Sequence, residues 1–408
     1  MRSLLSRLRP LYSQASFRRL FVLNALLGLS TSFVLPFMSM FGTLEARMTL
    51  FEFGTFMTVN AASAIVIASV LAHGSDLYFS RRGMLLLGSL SGAAGYLGYA
   101  YFRSFVPLAL VGSLALGVSS ITFSQLFAYA RELLSRSDVD PAQSAFHINV
   151  FRMFIALSWT VGPAIASWIM VRYSYRGLFV AASADLCVFA WVVWRGVAPA
   201  PAQSGPPSAS ASQSLVRLLR RGDLLAHFAA FVLITAAITV SMMNLPLLIV
   251  KTLRGSAADV GLAYSVAPVF ELPFMLYFGW LASKYSPAKI IRVGMVISVA
   301  YYASLVFVGT PWQVDFCQAL SAAATAIVSG VAITYFQSHL PHHPATATNL
   351  YASAQRIGST AGYFLFVGLA SRFGHQAVFA ACAGLATLAL GFMLVPVARD
   401  RPERASTA

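Results

Sequence analysis

The chain has 408 residues, of which 58% are hydrophobic and 10% are charged, and its mean hydropathy is +0.73. A soluble domain carries about 25% charged residues, so this composition excludes a soluble protein and indicates that lipid is the solvent of the fold. The formal net charge of +15 would suggest nucleic acid for a soluble chain. In a membrane protein the basic residues mark cytoplasmic loops instead, so we reject nucleic acid as a partner.

The apolar stretches, taken in chain order, predict twelve spans, six on each side of one polar, proline-rich segment. Each stretch exceeds the roughly 18 to 20 apolar residues that a helix needs to cross about 30 Å of hydrocarbon. We therefore expect an all-α membrane protein with 12 transmembrane helices in two pseudo-symmetric six-helix bundles around a central polar cavity. Residues 1–196 would form the N-terminal bundle, 197–223 a cytoplasmic linker and 224–408 the C-terminal bundle. The predicted spans are 17–42, 53–72, 83–102, 105–131, 144–171, 177–196, 224–250, 257–283, 289–308, 312–338, 346–371 and 376–397.

Basic residues divide unevenly between the two sets of loops that these spans create. Most of the 28 lysines and arginines lie on the same side as the N-terminus. The positive-inside rule then places both termini in the cytoplasm. The linker ends in a basic group, Arg217, Arg220 and Arg221, which we expect to lie on anionic lipid.

The two halves of the chain repeat each other where the fifth span of each half joins the sixth. Residues 172–179 read RYSYRGLF, and residues 372–379 read RFGHQAVF. Arg152 and Arg356 also lie at similar depths in the fifth and eleventh spans. Parallel halves of this kind are the plan of the major facilitator superfamily, which the chain resembles.

The loops after the second and eighth spans contain parts of the cytoplasmic signature of that superfamily. The first loop has Asp76, Arg81 and Arg82 but lacks the usual glycine, and the second has Lys284 and Lys289 but lacks the usual aspartate. Such charges near helix ends interact with the helix dipoles. They form either a conformational latch between the two halves or a set of charges that only fixes the topology.

Several segments are similar to the SET-type bacterial sugar efflux transporters. These segments are residues 56–61, 125–132, 159–163, 270–273 and 336–337. The resemblance implies an inner-membrane secondary transporter that exports sugars or glycosides by proton antiport with alternating access, and we expect a monomer. Gly162 and Pro163 also resemble a fragment of the antiporter motif of drug exporters. The flanking glycines of that motif are absent, so multidrug efflux is the less favoured alternative.

Polar residues within the spans are the candidate substrate contacts. A charge at mid-helix costs about 2.5 to 3.5 kcal/mol on translocon scales, so it should face protein or water. On the fifth span Asn149, Arg152 and Trp159 share one face, which suits a sugar because amides and guanidinium bind hydroxyls and indole covers a pyranose. Arg152 instead caps carbonyls or ties spans together in the structural alternative.

Other spans contain further amides and one more arginine. The eleventh span has Asn349, Arg356 and Thr360 along one stripe, with Gln355 beside it. The tenth has Gln318 and Ser321 in a stripe of polar residues. A lone amide either lines a cavity or locks neighbouring helices. The remaining candidates are Asn24, Asn60, Gln125, Asn244 and Gln337.

Glu271 in the eighth span is the candidate proton-coupling residue. An apolar setting favours the neutral acid and a nearby arginine favours the anion, so substrate or conformation can gate its protonation. The alternative is a structural Glu. Asp185 also lies mid-span, but the sixth span of this superfamily is usually peripheral, and we expect a structural hydrogen bond there.

We find no nucleophile, metal or nucleotide motif and predict no enzyme, cofactor or metal. A membrane sensor remains a remote alternative because no soluble signalling domain is evident.

Overall fold

The computed structural model describes residues 15–78, 80–135, 141–197, 222–340 and 344–396. In this part the regular elements are helices, numbered here in chain order. They are α1 (Ala15–Val34), α2 (Leu50–Tyr78), α3 (Arg81–Tyr101), α4 (Phe105–Val111), α5 (Ile121–Ser135), α6 (Pro141–Gly196), α7 (Gly222–Leu247), α8 (Ala257–Lys284), α9 (Pro287–Val306), α10 (Pro311–His339) and α11 (Pro344–Met393). Shorter helical segments extend or connect α1, α4 and α7.

Nine helices within the described residues are long and apolar enough to cross a membrane. Two of them cover Phe154–Gly196 and Thr346–Met393, with 43 and 48 residues, far more than the roughly 20 residues of one span. The expectation of an all-helical, multi-pass membrane protein is therefore confirmed.

The long helices α6 and α11 each contain one residue with non-helical dihedral angles. Ser174 in α6 has φ 60° and ψ −174°, and Gly374 in α11 has φ 75° and ψ 165°. Both are the third residue of the repeated octets, 172–179 and 372–379. The predicted loops between spans five and six and between spans eleven and twelve are thus reduced to a one-residue break in each helix.

A second repeat lies at the entrances to α2 and α8. π-helical segments, Phe41–Glu45 and Leu248–Thr252, precede the two helices. Each is followed by an arginine in the left-handed region, Arg47 with φ 54° and Arg254 with φ 57°.

Both entrances then continue with a capping box. The Thr49 backbone N–H donates to Glu52 Oε2 over 2.8 Å, and the Ser256 backbone N–H donates to Asp259 Oδ2 over 2.7 Å. The hydroxyls of Thr49 and Ser256 accept from the backbone N–H of Glu52 and Asp259 in return. This reciprocal pairing satisfies helix N-terminal donors and fixes where the helix starts.

The described residues divide into two compact units. Among the described residues, the first unit draws on 15–78, 80–135, 141–197, 245–269 and 310–312, and the second on 222–244, 270–309, 313–340 and 344–396. Within the first unit α1 packs on α6, and a Cβ on Gly162 of α6 would overlap the Ser32 hydroxyl of α1. Within the second unit a Cβ on Gly362 of α11 would lie 2.7 Å from Thr239 Cβ of α7. Small residues of this kind let helix backbones approach closely in a membrane.

Candidate functional site

One face of α11 contains polar residues and is not packed within its own unit. The packed face includes Leu350, Ala354 and Phe366, which are at most 1% exposed. Arg356 lies on the opposite face and is exposed, with Asn349 and Thr360 partly exposed at helical spacing from it. The described part of the chain has two ion pairs, and neither includes Arg356. An exposed guanidinium therefore lies on the polar face of this membrane span.

The amides near this face make local contacts. Gln355 Nε2 donates to the Tyr351 hydroxyl over 2.7 Å, one helical turn earlier. Gln337 Nε2, near the end of α10, donates to Thr348 Oγ1 over 3.2 Å, which joins α10 to the first turns of α11. Both glutamines remain partly exposed.

Gln318 lies in a buried polar cluster of the second unit. It is 3% exposed. The Tyr301 hydroxyl forms side-chain hydrogen bonds with Gln318, Ser241 and Ser321. The cluster joins α7, α9 and α10. The polar stripe of the tenth span thus faces its own unit at Gln318 and Ser321.

Asn24 and Asn244 are 0% exposed, and each bonds a backbone carbonyl of another helix. Asn24 Nδ2 donates to the Phe151 carbonyl of α6. Asn244 Nδ2 donates to the His375 carbonyl over 2.7 Å, and its Oδ1 lies 2.8 Å from His375 Nδ1. These contacts correspond to the helix-locking alternative for both amides.

Asn60 belongs to a polar cluster beside a π-helical segment. Its Nδ2 donates to the Tyr99 hydroxyl over 3.1 Å, and its Oδ1 accepts from Ser113 Oγ over 3.3 Å. Ser113 lies in the π segment Gly112–Leu116, which follows α4. Such bulges often occur at functional sites.

Arg81 forms its contacts within the first unit. Its Nη1 donates to Gln125 Oε1 over 2.8 Å, and its Nε lies 3.7 Å from Glu132 Oε2. Gln125 is 7% exposed. The predicted latch residue and a predicted substrate amide are thus partners of each other. Arg82 is partly exposed.

The predicted latch lysines lie at the α8–α9 connection and are exposed. Lys284 Nζ lies 4.0 Å from the centre of the Trp280 ring, a cation–π contact, and Lys289 is in the first turn of α9. The side chains of Asp76, Asn149 and Arg152 lie outside the described residues.

Trp159, Glu271 and Asp185 are each partly exposed. Glu271 takes part in neither ion pair of the described residues. Asp185 Oδ2 is buried without a hydrogen-bond partner, near Tyr96 of α3. The hydrogen bond expected for Asp185 is therefore not found at this oxygen.

The first part of α8 packs on α6, and both segments belong to the first unit. The Ala164 backbone N–H donates to Ser265 Oγ over 3.1 Å. A Cβ on Gly261 would lie 2.6 Å from Ser167 Cβ and 2.7 Å from the Pro163 carbonyl. The two helices touch backbone to backbone at this point.

Sequence reasoning missed one buried histidine cluster in the second unit. His227 is 2% exposed; its Nδ1 contacts the Tyr335 hydroxyl and its Nε2 lies 2.8 Å from the Val395 carbonyl. His339 Nδ1 lies 2.9 Å from the Tyr335 carbonyl. A histidine inside an apolar span was the available signal. The described residues hold no group of three or more His, Cys, Asp or Glu that could bind a metal ion.

Comparison with known proteins identifies the family. The profile of the Major Facilitator Superfamily matches residues 20–363 and 227–408. A Deinococcus radiodurans protein named "Putative sugar efflux transporter" is 32% identical over 92% of this chain and 96% of its own length. Sugar efflux transporter A of Dickeya chrysanthemi is 29% identical over 83% of this chain and 84% of its own.

The fold is similar to that of solved transporters. The crystal structure of the nucleoside transporter NupG matches with a TM-score of 0.79 over 94% of this chain and 99% of its own, at 14% identity. The family and these relatives are transporters and not enzymes, as the sequence predicted. The chain belongs to the major facilitator superfamily and, within it, to the sugar efflux transporter family.

Proposed function

We propose that this chain is a secondary active transporter that exports sugars or glycosides across the inner membrane by alternating access, with proton entry as the driving reaction. The cargo class rests on relatives that are named sugar efflux transporters and match 92% and 83% of this chain. The observation that carries transport is the unpacked polar face of α11, with Arg356 exposed on it.

The cost of Arg356 in lipid is the physical argument. An arginine at mid-helix costs about 2.5 to 3.5 kcal/mol, equivalent to the contribution of about six good apolar residues. Water or a polar ligand removes most of this cost. We therefore place this face of α11 along an aqueous pathway, where Arg356 and Asn349 bind sugar hydroxyls.

We divide the predicted substrate residues into two groups, by their exposure and by whether they bond another helix. Arg356, Asn349, Gln355 and Trp159 are partly or fully exposed and form the proposed binding set, together with Asn149 and Arg152 of the predicted stripe. Buried amides that bond other helices stabilise the units instead. These are Asn24, Asn244, Gln318 and Gln125. Asn60 and Gln337 are partly exposed but also bond side chains of other helices.

The proposed topology has twelve spans in two six-helix bundles, with domain boundaries at residues 196 and 224 and both termini in the cytoplasm. Nine candidate spans are consistent with twelve because α6 and α11 are each broken at one residue. The remaining span is α3, whose 21 residues extend about 30 Å at 1.5 Å per residue.

Alternating access requires contacts that open and close. We propose that the contact of Gly261 and Ser265 with α6 separates in one state of the cycle and re-forms in the other. The absence of a side chain at Gly261 allows the close approach of α8 to α6 in the state where the contact is formed. Asp76, Arg81, Arg82, Lys284 and Lys289 are the proposed latch at the opposite ends of the helices.

Transport by purified protein in proteoliposomes tests the cargo class. We expect counterflow of labelled lactose or a thiogalactoside, and loss of at least tenfold in Arg356→Gln, because one charge-assisted hydrogen bond contributes about 1.5 to 3 kcal/mol. Arg372→Gln removes the same charge from an exposed position at the α11 break and should transport normally. Export of cationic drugs without sugar counterflow would exclude sugar as the cargo and favour the drug-efflux alternative.

Proton coupling is tested separately at Glu271. In Glu271→Gln we expect counterflow to continue while uptake driven by an imposed pH gradient in inverted vesicles disappears. Asp185→Asn is the matched control, since it removes another partly buried carboxylate, and it should retain gradient-driven transport. Normal coupling in Glu271→Gln would exclude this residue as the proton carrier.

Access is tested at Ser265. It is 8% exposed in this structure, so a cysteine there should react slowly with a membrane-impermeant maleimide. A leucine at Gly261 should keep α8 away from α6, and we expect faster labelling of Ser265→Cys in that background with sugar binding retained. Unchanged labelling would contradict a moving contact.

A further inference from the structure

A basic and aromatic patch lies where α1 begins and α6 ends. It comprises Arg18 and Arg19 on α1 and Trp191, Trp194 and Arg195 on α6. Arg19 Nη1 donates to the Gly196 carbonyl over 3.2 Å, and Gly196 directly follows Arg195 in the chain. The Arg195 guanidinium lies 5.5 Å from the Trp191 ring centre and 5.7 Å from the Trp194 ring centre.

We propose that this patch is a binding site for an anionic phospholipid, with the lipid phosphate between Arg19 and Arg195 and the acyl chains along Trp191 and Trp194. The proposal is independent of the cargo, because it requires only that α1 and α6 span a membrane. The residues of this patch differ from those of the basic linker group, Arg217, Arg220 and Arg221.

Charge is the first argument for an anion. Arg18, Arg19 and Arg195 are exposed, and none of them is in an ion pair within the part of the chain that is described. Arg19 bonds the carbonyl of the residue that follows Arg195, so cations of α1 and α6 lie at the same end of this helix pair. Like charges repel each other, and a phosphate bound by both changes this repulsion into attraction. Guanidinium groups bind phosphate with two parallel hydrogen bonds.

The exposed tryptophans are the second argument. Trp191 and Trp194 are each 56% exposed, although burial of indole in a protein core would stabilise the fold. Tryptophan is enriched at membrane interfaces, where the ring lies at headgroup level with one side apolar and the other wet. Arginine beside it reaches the headgroup region, so the pair matches both parts of a phospholipid.

The other half of the chain shows that the fold does not need this patch. Continuing the register of the repeated octets pairs Trp191, Trp194 and Arg195 with Gly391, Leu394 and Val395. An arginine near a helix C-terminus interacts favourably with the helix dipole, yet α11 ends without one. The patch therefore belongs to this end of the first half and not to the common architecture.

Native mass spectrometry of the full-length protein in an uncharged detergent tests the site. The probes are phosphatidylglycerol and phosphatidylcholine with identical acyl chains, and the readout is the dissociation constant of the first bound lipid. We expect phosphatidylglycerol to bind at least fivefold more tightly. Arg195→Gln should weaken it about fivefold, as expected for one arginine at an anionic surface, and leave phosphatidylcholine unchanged.

Two variants and one competitor make the result specific. Trp191→Leu should also weaken the binding of phosphatidylglycerol. Arg176 lies 4.5 Å from the centre of the Tyr101 ring, outside the patch, so Arg176→Gln should leave this binding unchanged. Thermal unfolding in phosphatidylcholine micelles checks that each variant is folded. Equal losses in Arg176→Gln and Arg195→Gln, no preference for the anionic lipid, or displacement of the lipid by equimolar glycerol phosphate would each overturn the proposal.

Discussion

The pairing of α1 with α6 and the pairing of α7 with α11 have the same backbone plan but different side chains. Both long helices break at the same position of the octet, at Ser174 and Gly374, and both have a glycine contact, at Gly162 and Gly362. Asn24 lies as many residues before Thr49, the first residue of one capping box, as Phe231 lies before Ser256, the first residue of the other. The two positions therefore correspond. In the first pairing Asn24 bonds the Phe151 carbonyl; in the second, Phe231 packs against Tyr351 with ring centres 5.9 Å apart.

The buried amide that bonds a carbonyl therefore lies at opposite ends of the two helix pairs. Near the helix break it is the second pairing that is polar, with Asn244 bonded to His375. The position corresponding to Asn244 in the first pairing is Phe37, which is 1% exposed. Backbone breaks and small residues are thus common features of the fold, whereas the position of the amide distinguishes one half from the other.

The largest expected change in stability comes from filling the two glycine contacts, and a second substitution should rescue one of them but not the other. Gly162→Ala and Gly362→Ala should each destabilise the protein by about 1 to 3 kcal/mol, because overpacking moves neighbouring groups. Ser32→Gly should rescue Gly162→Ala, since the next atom lies 3.7 Å from the added Cβ. Thr239→Gly should not rescue Gly362→Ala, because the Ala236 carbonyl oxygen, a backbone atom, remains 2.9 Å away. Unfolding in detergent measures both pairs, and equal rescue would contradict the different geometry.

The break residues give the next effect. Ser174 and Gly374 have dihedral angles that are essentially restricted to glycine, a conformation that costs another residue about 1 to 3 kcal/mol. We expect Ser174→Gly to stabilise the protein by about 1 kcal/mol after the entropy cost of glycine, and Gly374→Ser to destabilise it by a similar amount. Both positions are exposed, so packing should not contribute. A loss of stability in Ser174→Gly would show that its hydroxyl has a structural role.

The sequence predicted these shared features in part. The octets marked the positions of both breaks, because a repeat retains the turn between spans. The two capping boxes were not predicted, although each has a Ser or Thr followed three residues later by an acid, which is the local signal for such a box. The one-residue length of the breaks was not readable, since it depends on tertiary packing of the flanking helices.

The candidate site was harder to predict than the fold. Helical spacing correctly grouped Asn349, Arg356 and Thr360 on one face, but the same reasoning grouped Gln318 with Ser321, which face their own unit. Periodicity gives the neighbours on a helix and does not say which face is packed. The pairing of Asn24 with a carbonyl of residue 151 joins positions far apart in sequence, so no local pattern could indicate it.

The amide contacts should give smaller effects than the breaks. An interhelical hydrogen bond in a membrane protein contributes about 0.6 kcal/mol on average. Asn244→Leu removes two bonds to His375 and should cost about 1.2 kcal/mol, whereas Asn24→Leu removes one bond to Phe151 and should cost about half as much. Thermal unfolding of the two variants in the same detergent measures the difference. A larger cost for Asn24→Leu would mean that the carbonyl of Phe151 depends on this bond more than the helix geometry suggests.

The smallest effect concerns an ion pair at the end of α3. Arg103 Nε lies 3.0 Å from Glu45 Oε1, with side chains 33% and 35% exposed. When Phe105 and Pro311, the first residues of α4 and α10, are aligned, Arg103 corresponds to Gly309. Exposed pairs contribute about 0.2 to 1 kcal/mol, so Glu45→Gln should cost about 0.5 kcal/mol and lose this effect at high salt. Arg103→Gln should cost more, because Arg103 Nη1 also donates to the carbonyls of Tyr99 and Phe102 over 3.0 and 2.7 Å. A double-mutant cycle isolates the pair, and a coupling that persists in 1 M salt would show that the pair is shielded from water.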